Sequence, residues 1–311
     1  MRLRQGYLGT DRRKGRKQIS QPNAPLNSSL LYLSESGILY VVATPIGNLE
    51  DVTLRAVRIL KEVNLIAAED TRRTKKLLRT YDIQTPLTSL YDQNERWKST
   101  FLIAKLREGM DVAYVSDAGT PGISDPGYIL IRRAIENNIR IIPVPGVSAV
   151  IAALSVSGLP MDAFIFYGFL PSKPGKRKEF LESIECEQKT GVFYESPRRL
   201  LATLQEMDSV FGDRNIVVLR EMTKIFEEVL RGSILQVMAK LQGRGIKGEV
   251  TLVVAGKEKI STDYSDEEIC DRFELLRKDA DLSRRDIIAK LASEMGMPKK
   301  KVYRVINILF P

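Results

Sequence analysis

Short apolar runs alternate with amphipathic stretches between residues 38 and 155. Each run is long enough for a strand, and each stretch repeats its apolar positions at helical spacing. Strands separated by helices of about 10–15 residues are typical of βαβ units, so this part of the chain predicts a parallel sheet. The predicted strands are Ile38–Val42, Leu65–Ala68, Val112–Val115 and Arg140–Val144, and the predicted helices are Leu54–Leu60, Thr71–Leu78, Trp97–Leu106 and Tyr128–Glu136.

A second α/β unit is predicted after a boundary near Ser157–Pro160. Two of its apolar runs, Asn215–Arg220 and Glu227–Leu230, follow each other without a helix between them, which indicates a mixed sheet. The chain is therefore predicted to be an α/β protein with two α/β domains, residues 37–157 and 158–257. The other strands of this unit are predicted at Ala163–Gly168, Thr190–Tyr194 and Glu249–Val254, and its helices at Lys176–Ile184, Arg198–Met207 and Ile234–Leu241.

Residues 262–311 are predicted to form a separate helical module. Ser283 and Asp286 have the spacing of a helix-capping pair, and the apolar positions that follow repeat at helical spacing. Gly296 ends this helix and Pro298 opens the next, which predicts a helix–turn–helix. Its second helix begins with a cluster of cations that favours contact with nucleic acid, although an ordinary helical hairpin with solvated lysines has the same pattern. The cluster consists of Lys299, Lys300, Lys301 and Arg304.

The net charge of +9 is unevenly distributed. Residues 1–36 carry seven Lys or Arg and two acids, whereas residues 262–311 carry ten of each sign. A basic leader of this kind, predicted to be disordered, suits a polyanion such as RNA. A solvated leader without a partner and an organelle transit peptide are the alternatives.

Composition excludes several classes of chemistry. The chain contains no histidine, which excludes a Ser-His-Asp triad, a histidine-ligated metal and a histidine general base. Cys186 and Cys270 match no metal or redox spacing, so no metal site is predicted and a reducing, cytoplasmic location is expected. No apolar run approaches the roughly 18 residues that a membrane span needs, and no secretory signal is expected, because no apolar core follows the first charges.

Two turns rich in Gly and Pro predict a ligand crevice. The first spans residues 40–51 and the second residues 114–127, and each leads from an apolar strand into a helical pattern. Open α/β sheets bind ligands at the carboxyl ends of their strands, where such turns lie. Neither turn is a GxGxxG or a GxxxxGK[ST] motif. Asp125 and Pro126 in the second turn predict a helix entry with Asp125 as the cap.

Five further polar turns are predicted to converge with these two on one site between the domains. Each lies at the end of a predicted strand, and each taken alone is also explained by helix capping or surface charge. Polar clustering, together with the family resemblance that these motifs carry, is the basis of one hypothesis: Asp70 or Glu195 receives the proton of the acceptor hydroxyl, while Lys224 and Arg220 hold phosphate or orient the carboxylate. The turns span residues 68–73, 145–149, 193–199, 220–228 and 247–251.

Eight motifs, in this order along residues 38–256, carry a family resemblance. The chain resembles the ribosomal RNA small subunit methyltransferase I family, within the tetrapyrrole-methylase-like superfamily. The motifs are VATPIGNLEDVTLRA, AEDTRRT, SDAGTPGISDPG, PVPGVSAV, FYGFLP, FYESPRRL, REMTKIFEE and KGEVTLVV. The resemblance implies methyl transfer from S-adenosylmethionine to the ribose 2′-oxygen of the cytidine at position 1402 of 16S ribosomal RNA, in a homodimer.

The resemblance also implies which residues bind the cofactor. The cofactor is expected in a cleft between the two α/β domains. A tetrapyrrole methylase of the same fold and a non-enzymatic nucleic-acid-binding protein remain the alternatives. Cofactor contacts are expected from Pro45, Asp117, Ala118, Gly119, Thr120, Ser148, Ala149, Tyr194 and Gly248, and RNA contacts from Arg72, Arg73, Arg198, Arg199, Arg220 and the four cations of the terminal cluster.

Overall fold

A parallel five-stranded sheet forms the first half of the protein. The computed structural model describes residues 36–258, 264–278 and 282–309, so the predicted leader lies outside the described residues except for Ser36. The strand order is β3-β2-β4-β1-β5, and every neighbouring pair is parallel, as predicted. The strands are β1 Leu39–Val42, β2 Leu65–Ala68, β3 Leu87–Ser89, β4 Val112–Val115 and β5 Ile141–Val144.

Helices cover both faces of this sheet. The cores on the two faces explain why the strands read as nearly continuous apolar runs. Helices α1 (Leu54–Glu62) and α2 (Thr71–Thr80) pack on one face. Helices α3 (Glu95–Arg107) and α4 (Tyr128–Glu136) pack on the other. Of the described strands of this sheet, only β3 was not predicted, since it is three residues long and half-buried.

The second sheet is mixed, as predicted. Its order is β6-β7-β10-β8-β9, in which β6 and β7 are parallel and the other pairs are antiparallel. Three helices share one core with one face of this sheet. The strands are β6 Phe164–Phe169, β7 Thr190–Glu195, β8 Asn215–Arg220, β9 Glu228–Ser233 and β10 Val250–Val254, and the helices are α6 Pro174–Ser183, α7 Leu200–Phe211 and α8 Ile234–Leu241.

Helix α5 (Ala149–Ser157) covers the opposite face of the second sheet. Val150, Ala153 and Leu154 share a buried cluster with side chains of β7, β8 and β10. The helix follows β5 of the first sheet directly, so the turn at its start lies between the two sheets. A residue at the amino end of α5 can therefore contribute to a site that both sheets form.

Three helices at the end of the chain share a core of their own. They are α9 (Asp266–Arg277), α10 (Arg284–Glu294) and α11 (Lys299–Leu309). The hydroxyl of Ser283 accepts the Asp286 N–H and caps α10, as its spacing predicts. No helix within the described ranges is both long and apolar enough to cross a bilayer.

Candidate active site

The two Gly- and Pro-rich turns meet at the carboxyl ends of neighbouring strands. Thr44, after β1, and Gly119, after β4, exchange two backbone hydrogen bonds of 2.9 Å each. The Thr44 hydroxyl also donates to the carbonyl oxygen of Ser116 at 3.2 Å. The two turns are therefore hydrogen-bonded to each other. Together they form the base of the space at the carboxyl ends of the strands.

A cavity of about 310 Å³ lies above this floor, and residues of both sheets line it. Its size is within the range of about 300–1,000 Å³ that is typical of small-molecule sites. Seven of the nine residues expected to bind the cofactor line it, together with Ile46, Met222 and Val250. The seven are Ala118, Gly119, Thr120, Ser148, Ala149, Tyr194 and Gly248.

Two of these positions have features that suit a ligand site. Gly248 has a φ of +91°, and a Cβ atom there would meet the carboxyl group of Glu221 at 2.3 Å, so only glycine fits. Ser148 precedes α5, but its hydroxyl makes no capping hydrogen bond to that helix. The hydroxyl of Ser148 is thus available to a ligand in the cavity.

A second cavity of about 320 Å³ adjoins the first and shares Ile46, Ala118 and Glu249 with it. It holds the other two residues expected to bind the cofactor, Pro45 and Asp117. Its lining differs from that of the first cavity because it contains cations. These are Arg73, Lys76 and Lys224.

Asp125 lines the first cavity and does not cap α4, so the predicted cap is wrong. The cap position is Gly127, and the buried carboxylate of Glu95 accepts the N–H groups of Gly127 and Ile129 at 2.9 Å each. Burial raises the pKa of the Asp125 carboxyl to about 6, although a hydrogen bond from Ser116 opposes the increase. Sequence reasoning missed Asp125 as a site residue because the Asp-Pro pair is also a common helix entry.

Three carboxylates line the first cavity: those of Asp125, Glu195 and Glu249. Of its described lining residues, none is a lysine or an arginine. Arg199 and Lys224 compensate the charges of Glu195 and Glu249. Asp125 forms no ion pair with another described residue, so its carboxylate favours a ligand that carries positive charge. No cluster of three or more Asp, Glu, His or Cys side chains in the described part of the chain is arranged to hold a metal ion.

The Glu195 side chain is fully buried and held by three partners. It accepts hydrogen bonds from the Ser196 N–H at 2.6 Å and from the Thr203 hydroxyl at 2.7 Å. The Arg199 guanidinium forms an ion pair with it at 2.6 Å. Its oxygens are therefore satisfied by the protein, and the pair fixes the turn after β7.

Asp70 caps the amino end of α2, and this is a structural role. Its carboxylate accepts the N–H of Arg72 at 2.9 Å and forms an ion pair with the Arg72 guanidinium at 2.8 Å. The side-chain hydrogen bond from Arg72 is the largest contribution that lowers the pKa of Asp70 to about 2. Asp70 lines neither cavity.

Lys224 lies in the loop between β8 and β9 and lines the second cavity. Its Nζ lies 2.9 Å from Glu221 Oε1 and 3.1 Å from Glu249 Oε2. Burial lowers the pKa of the Lys224 ammonium, but the hydrogen bonds and charges of the two glutamates outweigh burial and raise the pKa. One residue before it, the Thr223 hydroxyl accepts the N–H of Asn48 from the first turn at 3.0 Å.

The cations predicted to bind RNA fall into two groups. Arg199 and Arg220 are partly buried ion-pair partners, of Glu195 and Glu228 respectively. The others lie at the surface apart from the half-buried Lys301, and those of α11 line neither cavity. This second group consists of Arg72, Arg73, Arg198, Lys299, Lys300, Lys301 and Arg304.

Comparison with known proteins places the chain in a family. The model of the family described as Tetrapyrrole (Corrin/Porphyrin) Methylases matches residues 38–237. A protein named ribosomal RNA small subunit methyltransferase I from Halalkalibacterium halodurans is 44% identical over 276 residues, which are 88% of this chain and 96% of that protein. Proteins of the same name from Synechocystis sp. and Bacillus subtilis are 45% and 41% identical, over 86% and 88% of this chain and 97% and 96% of their own lengths.

Solved structures share the fold at low sequence identity. Uroporphyrin-III-C-methyltransferase from Thermus thermophilus has a TM-score of 0.52 at 21% identity, covering 70% of this chain and 94% of that structure. Diphthine synthase has a TM-score of 0.54 at 13% identity, covering 70% and 90%. The chain belongs to the tetrapyrrole methylase family and, within it, to the ribosomal RNA small subunit methyltransferase I family.

Proposed function

We propose that this protein transfers a methyl group from S-adenosylmethionine to the ribose 2′-oxygen of cytidine 1402 in 16S ribosomal RNA. The observation that carries the proposal is the first cavity, in which seven residues expected to bind the cofactor converge from both sheets. The relatives named ribosomal RNA small subunit methyltransferase I match most of the chain, and their name supports ribosomal RNA of the small subunit as the substrate.

The lining of the first cavity fits this cofactor. S-Adenosylmethionine would supply a methyl group on a sulfonium, which is already a strong electrophile and carries positive charge. Asp125 offers negative charge to it, and the backbone at Gly119 and Gly248 leaves room for close approach. The hydroxyl of Ser148 is a further polar contact at the start of α5.

Positioning is the main task of the protein in this reaction. When the protein holds the ribose oxygen in line with the methyl group, a bimolecular reaction becomes effectively unimolecular. This positioning alone contributes much of the rate enhancement. The acceptor oxygen must also lose its proton, for which a carboxylate near the junction of the two cavities is suited. Glu249 lines both cavities, and we assign this role to it.

The three residues first expected to act in catalysis take other roles in this proposal. Asp70, with a pKa of about 2 and its oxygens on Arg72, is a poor proton acceptor and caps α2. Glu195 positions the turn after β7 through Arg199. Lys224 remains protonated and orients the Glu249 carboxylate.

RNA contact away from the cleft is assigned to the last two helices. Helices α10 and α11 would act as a helix–turn–helix, with the exposed Lys299, Lys300 and Arg304 on phosphates. Arg199 and Arg220 are engaged by carboxylates and would support the site rather than contact RNA. We further propose that the protein works as a homodimer in the cytoplasm.

Cofactor binding and acceptor choice test this function separately. Ala149→Leu fills part of the first cavity and should weaken S-adenosylmethionine binding in calorimetry, whereas Ala104→Leu, on an exposed face of α3, should not. Labelled S-adenosylmethionine should then methylate small ribosomal subunits that lack the modification. Methylation of a uroporphyrin-type tetrapyrrole instead would support the small-molecule alternative. Equal binding of S-adenosylmethionine by the two variants would show that the cofactor does not bind in this cavity.

A further inference from the structure

We propose that the second cavity and the loop beside it hold the single-stranded acceptor RNA, with Lys76 on a backbone phosphate and Phe226 stacked on a base. This inference rests on the proposed function and assigns the acceptor to a place in the structure. Because the two cavities share Ile46, Ala118 and Glu249, a ribose in the second would lie next to the cofactor in the first.

Helix α2 gives one side of this cavity its positive charge. It carries five cations and no acid, and its apolar residues are turned inward. Arg73 and Lys76 are three residues apart, so they lie on the same face of the helix, and both line the cavity. Arg73 is 3.4 Å from Asp117, whereas the exposed Lys76 makes no side-chain hydrogen bond to another described residue. Lys76 is therefore the cation most available to a phosphate.

The β8–β9 loop faces this helix across the cavity. Lys224 lines the cavity, and the next two side chains, Ile225 and Phe226, are 95% and 75% exposed. Two apolar side chains of this size at a loop tip have no folding benefit, because they contact water in the folded state as in the unfolded one. Their position beside a cationic cavity suits a partner that has both phosphates and flat apolar rings.

The loop holds these side chains out through a strained backbone. Glu221 and Thr223 have φ values of +52° and +66°, in the left-handed region that residues other than glycine rarely adopt. Glu227 accepts the Thr223 N–H at 2.5 Å, and Thr223 in turn holds Asn48 of the first sheet. Strain of this kind persists where the surrounding contacts fix it and is concentrated at functional sites.

Charge and ring together favour single-stranded RNA as the occupant. A cationic groove that follows the backbone, with an aromatic side chain on which a base stacks, is the general design of single-strand binding sites. A duplex would not place a base on Phe226, because its bases are stacked within the helix. A second copy of this chain would have to accommodate the uncompensated Lys76 at its interface, which does not favour it.

Two exposed substitutions test the site without disturbing the fold. Binding of small ribosomal subunits lacking the modification is measured by filter retention across a salt series for wild type, Lys76→Ala and Phe226→Ala. The matched control is Lys61→Ala, which changes an exposed lysine at the carboxyl end of α1. Because α1 leads into β2, Lys61 lies near the amino ends of the strands, whereas the second cavity lies at their carboxyl ends.

Lys76→Ala should reduce the slope of log affinity against log salt by about 0.7–0.9, the value for one lost phosphate contact. Phe226→Ala should weaken binding about 5- to 150-fold with an unchanged slope, as expected for a lost stack. Neither should change S-adenosylmethionine affinity. Wild-type slope and affinity in both variants would overturn the proposal, as would a Phe226→Ala effect on self-association alone. Failure of wild-type methylation, with these binding effects intact, would instead count against the proposed function.

Discussion

Replacement of Asp125 by asparagine should stabilise the protein at neutral pH. The ionised carboxylate of Asp125 lies in the first cavity, where burial raises its pKa from 3.8 to about 6. At pH 7.5 the folded protein therefore holds a charge that its surroundings disfavour. Asparagine has nearly the same shape and can still accept the hydrogen bond from Ser116, but it carries no charge.

The size and sign of the effect follow from the two pKa values of Asp125. The difference between 3.8 and about 6 corresponds to at most about 3 kcal/mol, and solvent screening of a partly exposed group reduces this to about 1–2 kcal/mol. The folded state binds the proton more tightly, so stability is lost as pH rises from 3.8 through about 6. The gain from Asp125→Asn should thus be full at pH 7.5 and about a third as large at pH 4.5.

Urea denaturation at the two pH values measures this gain directly. Asp162→Asn, which changes an exposed aspartate before β6, is the control and should leave the free energy of unfolding unchanged at both. Calorimetry should show that Asp125→Asn weakens binding of S-adenosylmethionine, since the cavity loses a negative charge. The reasoning about burial is wrong if Asp125→Asn and wild type have the same free energy of unfolding at pH 7.5. It is also wrong if the variant gains the same stability at both pH values.

Three further changes have defined outcomes. Glu249→Gln should lower kcat about 100-fold or more while cofactor affinity changes little, and a rate unaffected by this change would remove Glu249 as proton acceptor. Gly47→Ala places a methyl group 2.6 Å from Lys224 Cγ and 2.7 Å from Thr223 Oγ1, so urea denaturation should show a loss of about 1–3 kcal/mol. Deleting residues 1–36 should reduce RNA affinity and its salt slope but not cofactor affinity; an unchanged slope would make the leader a bystander.

Periodic burial made most of the fold predictable from the sequence. Strands buried on both faces, such as Val112–Val115, leave a continuous apolar run in the sequence. The strand Leu87–Ser89 leaves no such signal, because it is short, half-buried and at the edge of its sheet. The packing of α5 on the second sheet could not be predicted either, because the sequence of an apolar helix does not show which sheet it covers.

The site was predictable as a set of turns but not as a set of roles. Chain order places Ala118 and Ser148 after strands, and parallel strands bring their carboxyl ends to one edge. The role of each side chain depends on its hydrogen-bond and ion-pair partners, and some of these partners are distant in sequence. Glu95 occupies the helix start that Asp125 was expected to cap, which leaves Asp125 to the cavity, and Arg72 takes the carboxylate of Asp70.

The most direct test of the account is to map the methylated atom. Small ribosomal subunits that lack the modification are incubated with the protein and labelled S-adenosylmethionine, and the RNA is digested and examined by mass spectrometry. The account predicts one labelled ribose, on cytidine 1402, which is lost with Ala149→Leu and retained with Ala104→Leu. Label on a base, on another nucleotide or on no RNA at all, from protein that binds the cofactor, would contradict it.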